Sequence, residues 1–426
     1  MLRTIRSEQL LPGMYVSRLL GPWMQHPFWR SSFLADTDDI ARIRASVVTH
    51  VVIDTLRGNV EVDAAAGEDD EATGEDDAQG APAAADAAPA ALPAEPRSGD
   101  MPEHAAGTPP SKPPHRPIAD EIATARRICE EGADTVRSMF QEVRLGKALD
   151  AEAVLPMVVS IRDSVMRNPH ALISVARLKT ADTYTYLHSV AVSALMTVLA
   201  RQLGLSDEDT MVAALGGLLH DMGKAAVPPA ILNKPGRLTD GELDVIRRHP
   251  EQGQALLVAA GLNSRPVLDI VLYHHEKVDG TGYPQRLAGD AIPRLAKMGA
   301  VCDVYDAITS NRPYKQGWDP AESLKRMATW EGHFDPAIFQ PFVKSLGIYP
   351  VGSLVRLASD HLAVVTEQNP ASLLTPRVRL FYSIKHHRHV LMQDIDLGAE
   401  GSHDRIVGLE SPEKWDFREL EKVWMA

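Results

Sequence analysis

Five histidines and two aspartates recur along the middle of this chain: His188, His220 with Asp221, His249, His274 with His275, and Asp303. Most lie inside or at the ends of apolar segments. Met211–Leu219 precedes His220, Val267–Tyr273 precedes His274, and Asp303 follows Ala300-Val-Cys. An ionisable group among apolar side chains is costly unless it is paired or bound to a metal. One such histidine is commonly a hydrogen-bonded core residue, but seven ligand-type residues together do not fit that reading. Imidazole and carboxylate without thiolate suit iron, manganese, nickel, cobalt or zinc. Seven ligands exceed what one ion takes from protein, which implies two, with Asp221 placed to bridge them. Two divalent ions against two carboxylates would leave net positive charge, a sink for a phosphodiester. A water held between them would lose a proton readily and attack phosphorus, while the ions stabilise the attacking and leaving oxygens. Lys224, Arg294, Arg312 and Lys315 are further cations nearby in sequence. Lys224, three residues after a ligand, is the candidate to touch the scissile phosphate.

These residues need helices to hold them. Residues 180–350 show repeated helical spacing and almost no strand signal. Thr239-Asp-Gly-Glu242 fits a capping box, which predicts a helix carrying His249, and Asp319-Pro320 fits an N-cap with proline in the first turn. His188 falls near a helix start, His220-Asp221 and His274-His275 at helix ends, and Asp303 inside a final helix. Residues 119–179 read as connecting helices. From 351 to 426 the period switches to two, at Leu354–Leu357, Leu362–Val365 and Val378–Phe381, which predicts a small β extension closed by the charged segment Glu410–Met425. His386-His-Arg-His389 falls in that extension and reads as solvated side chains. Residues 1–59 read as a small β-rich domain, with a turn at Gln9–Val16, a helix at Asp38–Arg44, a strand at Val47–Ile53, and a core drawing on Trp23, Phe28, Trp29 and Phe33. The fold class is therefore mainly α.

The formal charge is −13, and almost all of it sits between Glu61 and Glu103. Residues 60–118 are Ala, Pro, Gly, Asp and Glu with hardly a large apolar side chain, the composition of a disordered acidic linker. The remainder is close to neutral, so the acidity does not argue against an anionic substrate. No basic stripe points to a nucleic acid polymer. Cys129 and Cys302 are far apart and outside any CxxC pattern, which excludes a disulfide framework. No apolar run is long enough for a membrane span. These features predict a cytoplasmic protein.

The chain resembles the HD-GYP family, within the HD superfamily of metal-dependent phosphohydrolases. The resemblance runs through Tyr186-Leu-His188, Leu218-Leu-His-Asp-Met-Gly-Lys224, Ile231-Leu-Asn-Lys-Pro-Gly236, His274-His-Glu-Lys-Val-Asp-Gly-Thr-Gly-Tyr-Pro284, Ile292-Pro-Arg294 and Asp303-Val-Tyr-Asp-Ala-Ile-Thr-Ser-Asn-Arg-Pro-Tyr-Lys315. It implies an all-helical domain, a site for two iron or manganese ions, and hydrolysis of cyclic di-GMP to linear pGpG or GMP. By position it implies His188, His220, Asp221, His249, His274, His275 and Asp303 as metal ligands. Asp221 would be the bridge and Lys224 the catalytic cation. Gly282, Tyr283 and Pro284 would form the loop beside the substrate, with Arg294, Arg312 and Lys315 on its phosphates. Family members with three metals carry Glu four residues before the first histidine; here that residue is Tyr184, which implies two ions and pGpG as the accumulating product. The first 59 residues resemble a domain of unknown function often found before HD-GYP domains, through Leu11-Pro-Gly-Met-Tyr-Val16, Pro22-Trp23, Pro27-Phe28 and Val52-Ile53-Asp54. Two alternatives stay open: a cyclic di-GMP effector of low activity that acts through protein contacts, and a phosphodiesterase for another cyclic dinucleotide. A homodimer or a signalling partner is compatible with either.

Overall fold

The structure, a computed structural model, describes residues 2–19, 33–44, 48–55, 57, 116–147, 150, 153–177, 184–234, 236–310, 317–369, 371–417 and 420–425. Two compact units divide the chain, residues 1–111 and 112–426.

In the first unit, strands β1 (Leu2–Arg6), β2 (Tyr15–Leu19), β3 (Phe33–Leu34) and β4 (His50–Asp54) form an antiparallel sheet in the order β1-β4-β2-β3. Helix α1 (Thr37–Arg44) lies between β3 and β4 in the chain. Alternation within β4 buries Val51 and Ile53, which join Leu10, Val16, Ile40 and Ile43 in a small core. Trp23, Phe28, Trp29 and the linker calls over residues 60–115 lie outside the described residues, as does the side chain of Phe33.

The second unit is helical first and then β. Its helices are α2 (Ile118–Arg144), α3 (Leu155–Arg167), α4 (Ala171–Arg177), α5 (Tyr184–Gln202), α6 (Asp207–Leu219), α7 (Pro229–Leu232), α8 (Asp240–Arg247), α9 (His249–Ala259), α10 (Arg265–Tyr273), α11 (Arg294–Thr309), α12 (Pro320–Met327) and α13 (Pro336–Leu346). Every residue from His188 to Ala200 is buried. A helix apolar on all sides belongs in the middle of a protein, and α5 accordingly packs on α2, α3, α4, α6, α11 and α13. The apolar run that is too short for a membrane is therefore the central core helix. No helix among the described residues is long and apolar enough to cross a membrane.

Helices α2 to α4 are built into the same core as α5, through Ile128, Phe140, Ile161 and Leu172. Glu121 on α2 is buried, and its carboxylate is satisfied by Arg167 (2.7 and 2.9 Å) and Ser164 (2.9 Å) on α3. A buried charge so fully paired ties these two helices together. The C-terminal strands β5 (Leu354–Leu357), β6 (His361–Glu367), β7 (Arg377–Ser383), β8 (Arg388–Asp396) and β9 (Ile406–Leu409) form an antiparallel sheet in the order β8-β7-β6-β5-β9. Leu354, Leu362, Val364 and Phe381 join the helical core, and so does Trp424 of the closing helix α14 (Glu421–Trp424). His386, His387 and His389 are exposed.

One local expectation is corrected. The Thr239 capping box forms, with Glu242 N donating to Thr239 Oγ1 at 3.3 Å and Thr239 N donating to Glu242 Oε2 at 2.8 Å. The helix it starts stops at Arg247, however, and His249 opens the next one. Pro250 is the cause: it has no N–H to continue the ladder back to Ile246.

Candidate metal centre

Helix ends set up the site. The last carbonyls of a helix have no partner within it, and three histidines use such carbonyls. His220 Nδ1 donates to Gly217 O (2.8 Å), His274 Nδ1 to Val271 O (2.9 Å) and His249 Nδ1 to Ile246 O (2.8 Å). The Ile246 carbonyl is the one that Pro250 leaves without its helical donor. His188 meets a carboxylate instead, with Nδ1 2.6 Å from Asp306 Oδ2. A carbonyl can only accept, so in His220, His249 and His274 the proton sits on Nδ1 and Nε2 is left to present a lone pair, as metal-ligating histidines do; Asp306 can hold a proton on His188 Nδ1 in the same way. Asp306 had no role in the sequence reading. Its spacing of three from Asp303, on one helix face, was the available signal.

All four Nε2 atoms converge on Asp221. Its Oδ2 lies 3.3 Å from His220 Nε2 and 3.5 Å from His188 Nε2; its Oδ1 lies 3.2 Å from His249 Nε2 and 3.9 Å from His274 Nε2. Asp303 Oδ1 is 3.0 Å from His188 Nε2, and its Oδ2 is 3.7 Å from His275 Nδ1. Three groupings have ligand atoms close enough to share an ion: His188, His220 and Asp303; His249, His274 and His275; and, between them, His220, Asp221 and His274. The turn carrying Asp221 sits directly against α9. A Cβ on Gly223 would fall 1.8 Å from the His249 carbonyl oxygen, so only glycine allows the approach.

The donor set fits divalent cations. His220 Nε2 and Asp221 Oδ1 are buried and make no hydrogen bond; each such atom costs about 1–3 kcal/mol, a cost a bound cation would remove. Burial works against ionised Asp221, but His220 and Lys224 hold its carboxyl well below the usual range. Burial likewise opposes ionised Asp303, and His188 more than offsets it. Burial drives His274 far down and His275 to about 3, so both imidazoles are neutral at pH 7. Burial also opposes the charged form of His188, yet Asp303 and Asp306 raise its pKa.

Around the cluster, Lys224 Nζ pairs with Asp221 Oδ2 at 2.5 Å. The Tyr283 ring stacks on His275, centroids 4.7 Å apart, and its N–H donates to the His275 carbonyl at 3.2 Å. Gly282 lies against the backbone of Glu276 and Lys277, where a Cβ would come within 2.4 Å of Lys277 N. Pro284 follows through a cis peptide. The structure does not bring Arg294 into the cluster: it is exposed at the start of α11, nine residues and about 13.5 Å of helix rise before Asp303. Arg312 and Lys315 lie outside the described residues, and so does the side chain of Tyr184.

Residues 161–338 match an HD domain, and residues 2–154 match a domain of unknown function, DUF3391. The cyclic di-GMP phosphodiesterase PA4108 of Pseudomonas aeruginosa is 48% identical, spanning 100% of this chain and 96% of its own length. The cyclic di-GMP phosphodiesterase response regulator RpfG of Xanthomonas campestris pv. campestris is 45% identical over 33% of this chain and 37% of its own. The 3'3'-cGAMP-specific phosphodiesterase 2 of Vibrio cholerae is 31% identical over 43% of this chain and 35% of its own.

Proposed function

Since the chain belongs to the HD-domain cyclic di-GMP phosphodiesterases that carry an N-terminal DUF3391 domain, we propose that it opens cyclic di-GMP to pGpG at a centre of two divalent ions. His188, His220, Asp221, His249, His274, His275 and Asp303 are the ligands in this reading, and iron or manganese suits their nitrogen and oxygen donors. The observation that carries it is the division of Asp221, with one oxygen facing His188 and His220 and the other facing His249 and His274. When bound, the ions supply Lewis-acid charge to the phosphodiester and acidify a water.

The protein's own groups do the rest. Hydrogen bonds on Nδ1 keep four imidazoles in the ligating tautomer. Lys224, partly exposed beside Asp221, offers a cation to a phosphate oxygen while helping to keep that carboxylate ionised. Gly282, Tyr283 and Pro284 form the wall next to His275. Arg294, Arg312 and Lys315 are assigned to the substrate's phosphates from the sequence alone. Hydrolysis of one phosphodiester consumes one water: phosphorus gains its oxygen, the bond to the ribose 3′ oxygen breaks, and that oxygen takes a proton.

The full ligand set favours catalysis over a low-activity effector. Relatives specific for a GMP–AMP hybrid make that ring the substrate to exclude. Turnover of the metal-loaded protein on both rings tests the assignment. A kcat/KM at least tenfold higher for cyclic di-GMP is expected; preference for the hybrid would reassign the substrate.

A further inference from the structure

Glu276 follows the two ligand histidines and is only 3% exposed. Burying a carboxylate is costly unless it is well hydrogen-bonded, and this one is bonded to main chain. Its Oε1 accepts from Gln285 N at 2.7 Å and its Oε2 from Leu287 N at 3.1 Å. Between those residues Arg286 has a φ of 56°, a left-handed conformation that a non-glycine residue adopts only when its surroundings hold it there. One charged side chain thus holds a strained turn closed through two charge-assisted bonds. The turn follows Tyr283-Pro284 immediately. Its far side is fixed by Leu287, which packs on Leu272, Tyr273, Ile292 and Ala296. Its near side rests on the Glu276 backbone through Gly282, whose Cβ would lie 2.5 Å from Glu276 Cα. Tyr283 is suspended between these two attachments, stacked on His275, with the Arg247 guanidinium 5.8 Å from its ring.

We infer that Glu276 is a positioning residue for substrate binding, acting through Tyr283: its carboxylate holds the 283–287 turn so that the tyrosine ring and loop backbone stand ready for a cyclic dinucleotide. The inference rests on the phosphodiesterase reading above. Among the described residues both Glu276 carboxylate oxygens are bonded to the loop backbone and none of the ion pairs of the centre includes it, so loss of its charge should loosen the loop and spare the metals.

The test uses the full metal-loaded chain, with metal content, KM, kcat and calorimetric binding of cyclic di-GMP measured together. Glu276→Gln keeps one acceptor but turns an NH2 toward a backbone N–H. It should raise KM and Kd tenfold or more, leave kcat within about threefold, and leave metal content unchanged. Tyr283→Ala should raise KM as well, and adding Glu276→Gln to it should raise KM no more than about twofold further, because both act through one ring. Metal loss, a fall in kcat at unchanged KM, independent multiplication of the two effects, or wild-type behaviour would each overturn the inference. If Glu276→Gln does not fold, Glu276→Asp decides: it keeps the charge but is one methylene too short to reach both N–H groups, and an unchanged KM there counts against the role. Wild-type protein that binds cyclic di-GMP without hydrolysing it would sink the phosphodiesterase reading alone, and the Kd comparison would still judge Glu276. Wild-type protein that neither binds nor hydrolyses it would overturn both.

Discussion

His188 Nδ1 lies 2.6 Å from Asp306 Oδ2, so one histidine of the candidate centre is oriented by a buried carboxylate where three others use backbone carbonyls. Backbone carbonyls cannot be deleted by mutation, but this partner can. Asp306→Ala should weaken metal binding about 10–100-fold, as the loss of an outer partner typically does. Titration of the metal-free protein with Mn²⁺ measures it. An unchanged affinity would mean that His188 is oriented by packing alone.

Lys224 is tied to Asp221 at 2.5 Å, and its ammonium has no lone pair to offer a metal. Lys224→Met should retain metal, because His220 also holds the Asp221 carboxyl down. It should slow turnover by about 10²-fold, the scale expected when a single transition-state contact is lost. Depletion of metal in this variant would show that its role is to keep Asp221 ionised, with no direct phosphate contact.

Removing the metals should reveal an acid-sensitive fold. His275 has a folded pKa of about 3 against an ordinary value near ~6.5. The unfolded chain therefore takes up that proton first. Stability from this residue is complete above pH ~6.5 and is lost as pH falls toward 3. His274 is shifted in the same direction. His188 is raised and works oppositely, its contribution present below pH ~6.5 and lost as pH rises through its folded value. His333, lowered to about 4 by burial, adds to the same side as His274 and His275, so the Tm of chelator-treated protein should fall between pH 7 and pH 5. His275→Gln should make that slope shallower; an identical slope would show that His275 does not titrate as argued.

The side chains that cluster at the candidate centre were legible because their chemistry conflicts with their flanks. His220 and His274 each end an apolar helix, and a buried ionisable group at a helix end needs a partner or a metal. The capping box at Thr239 was readable for the same local reason. What the sequence did not reveal depends on distance in space. Pro250 shows that α8 must stop, but not that the freed Ile246 carbonyl would orient His249. Asp306 and Glu276 are ordinary acidic residues in sequence, and only the folded chain sets one against His188 and the other against the backbone at 285 and 287. The β extension was expected as an appendage, yet Leu354 and Phe381 complete the helical core, a pairing that no local period encodes.

Tyr184 begins α5, one turn before His188. A phenol ligates hard divalent ions poorly, since its proton leaves only near pH ~10, whereas a glutamate one turn away would already be ionised. The protein should therefore carry two ions and accumulate pGpG, with GMP forming late. Tyr184→Glu should raise the ion count toward three and hasten GMP release, as read by elemental analysis and product chromatography. A wild-type protein with three ions, or without a pGpG lag, would contradict this.

In the proposed centre Asp221 would join two divalent ions, one on each of its oxygens. Anaerobically purified wild-type and Asp221→Ala proteins should be compared for metal content and, in the same samples, for conversion of cyclic di-GMP. Wild type should hold two ions and yield pGpG, while Asp221→Ala, with its helical circular dichroism intact, should lose both metal and turnover. Full turnover by Asp221→Ala, or a two-metal wild type that leaves cyclic di-GMP intact, would contradict the account.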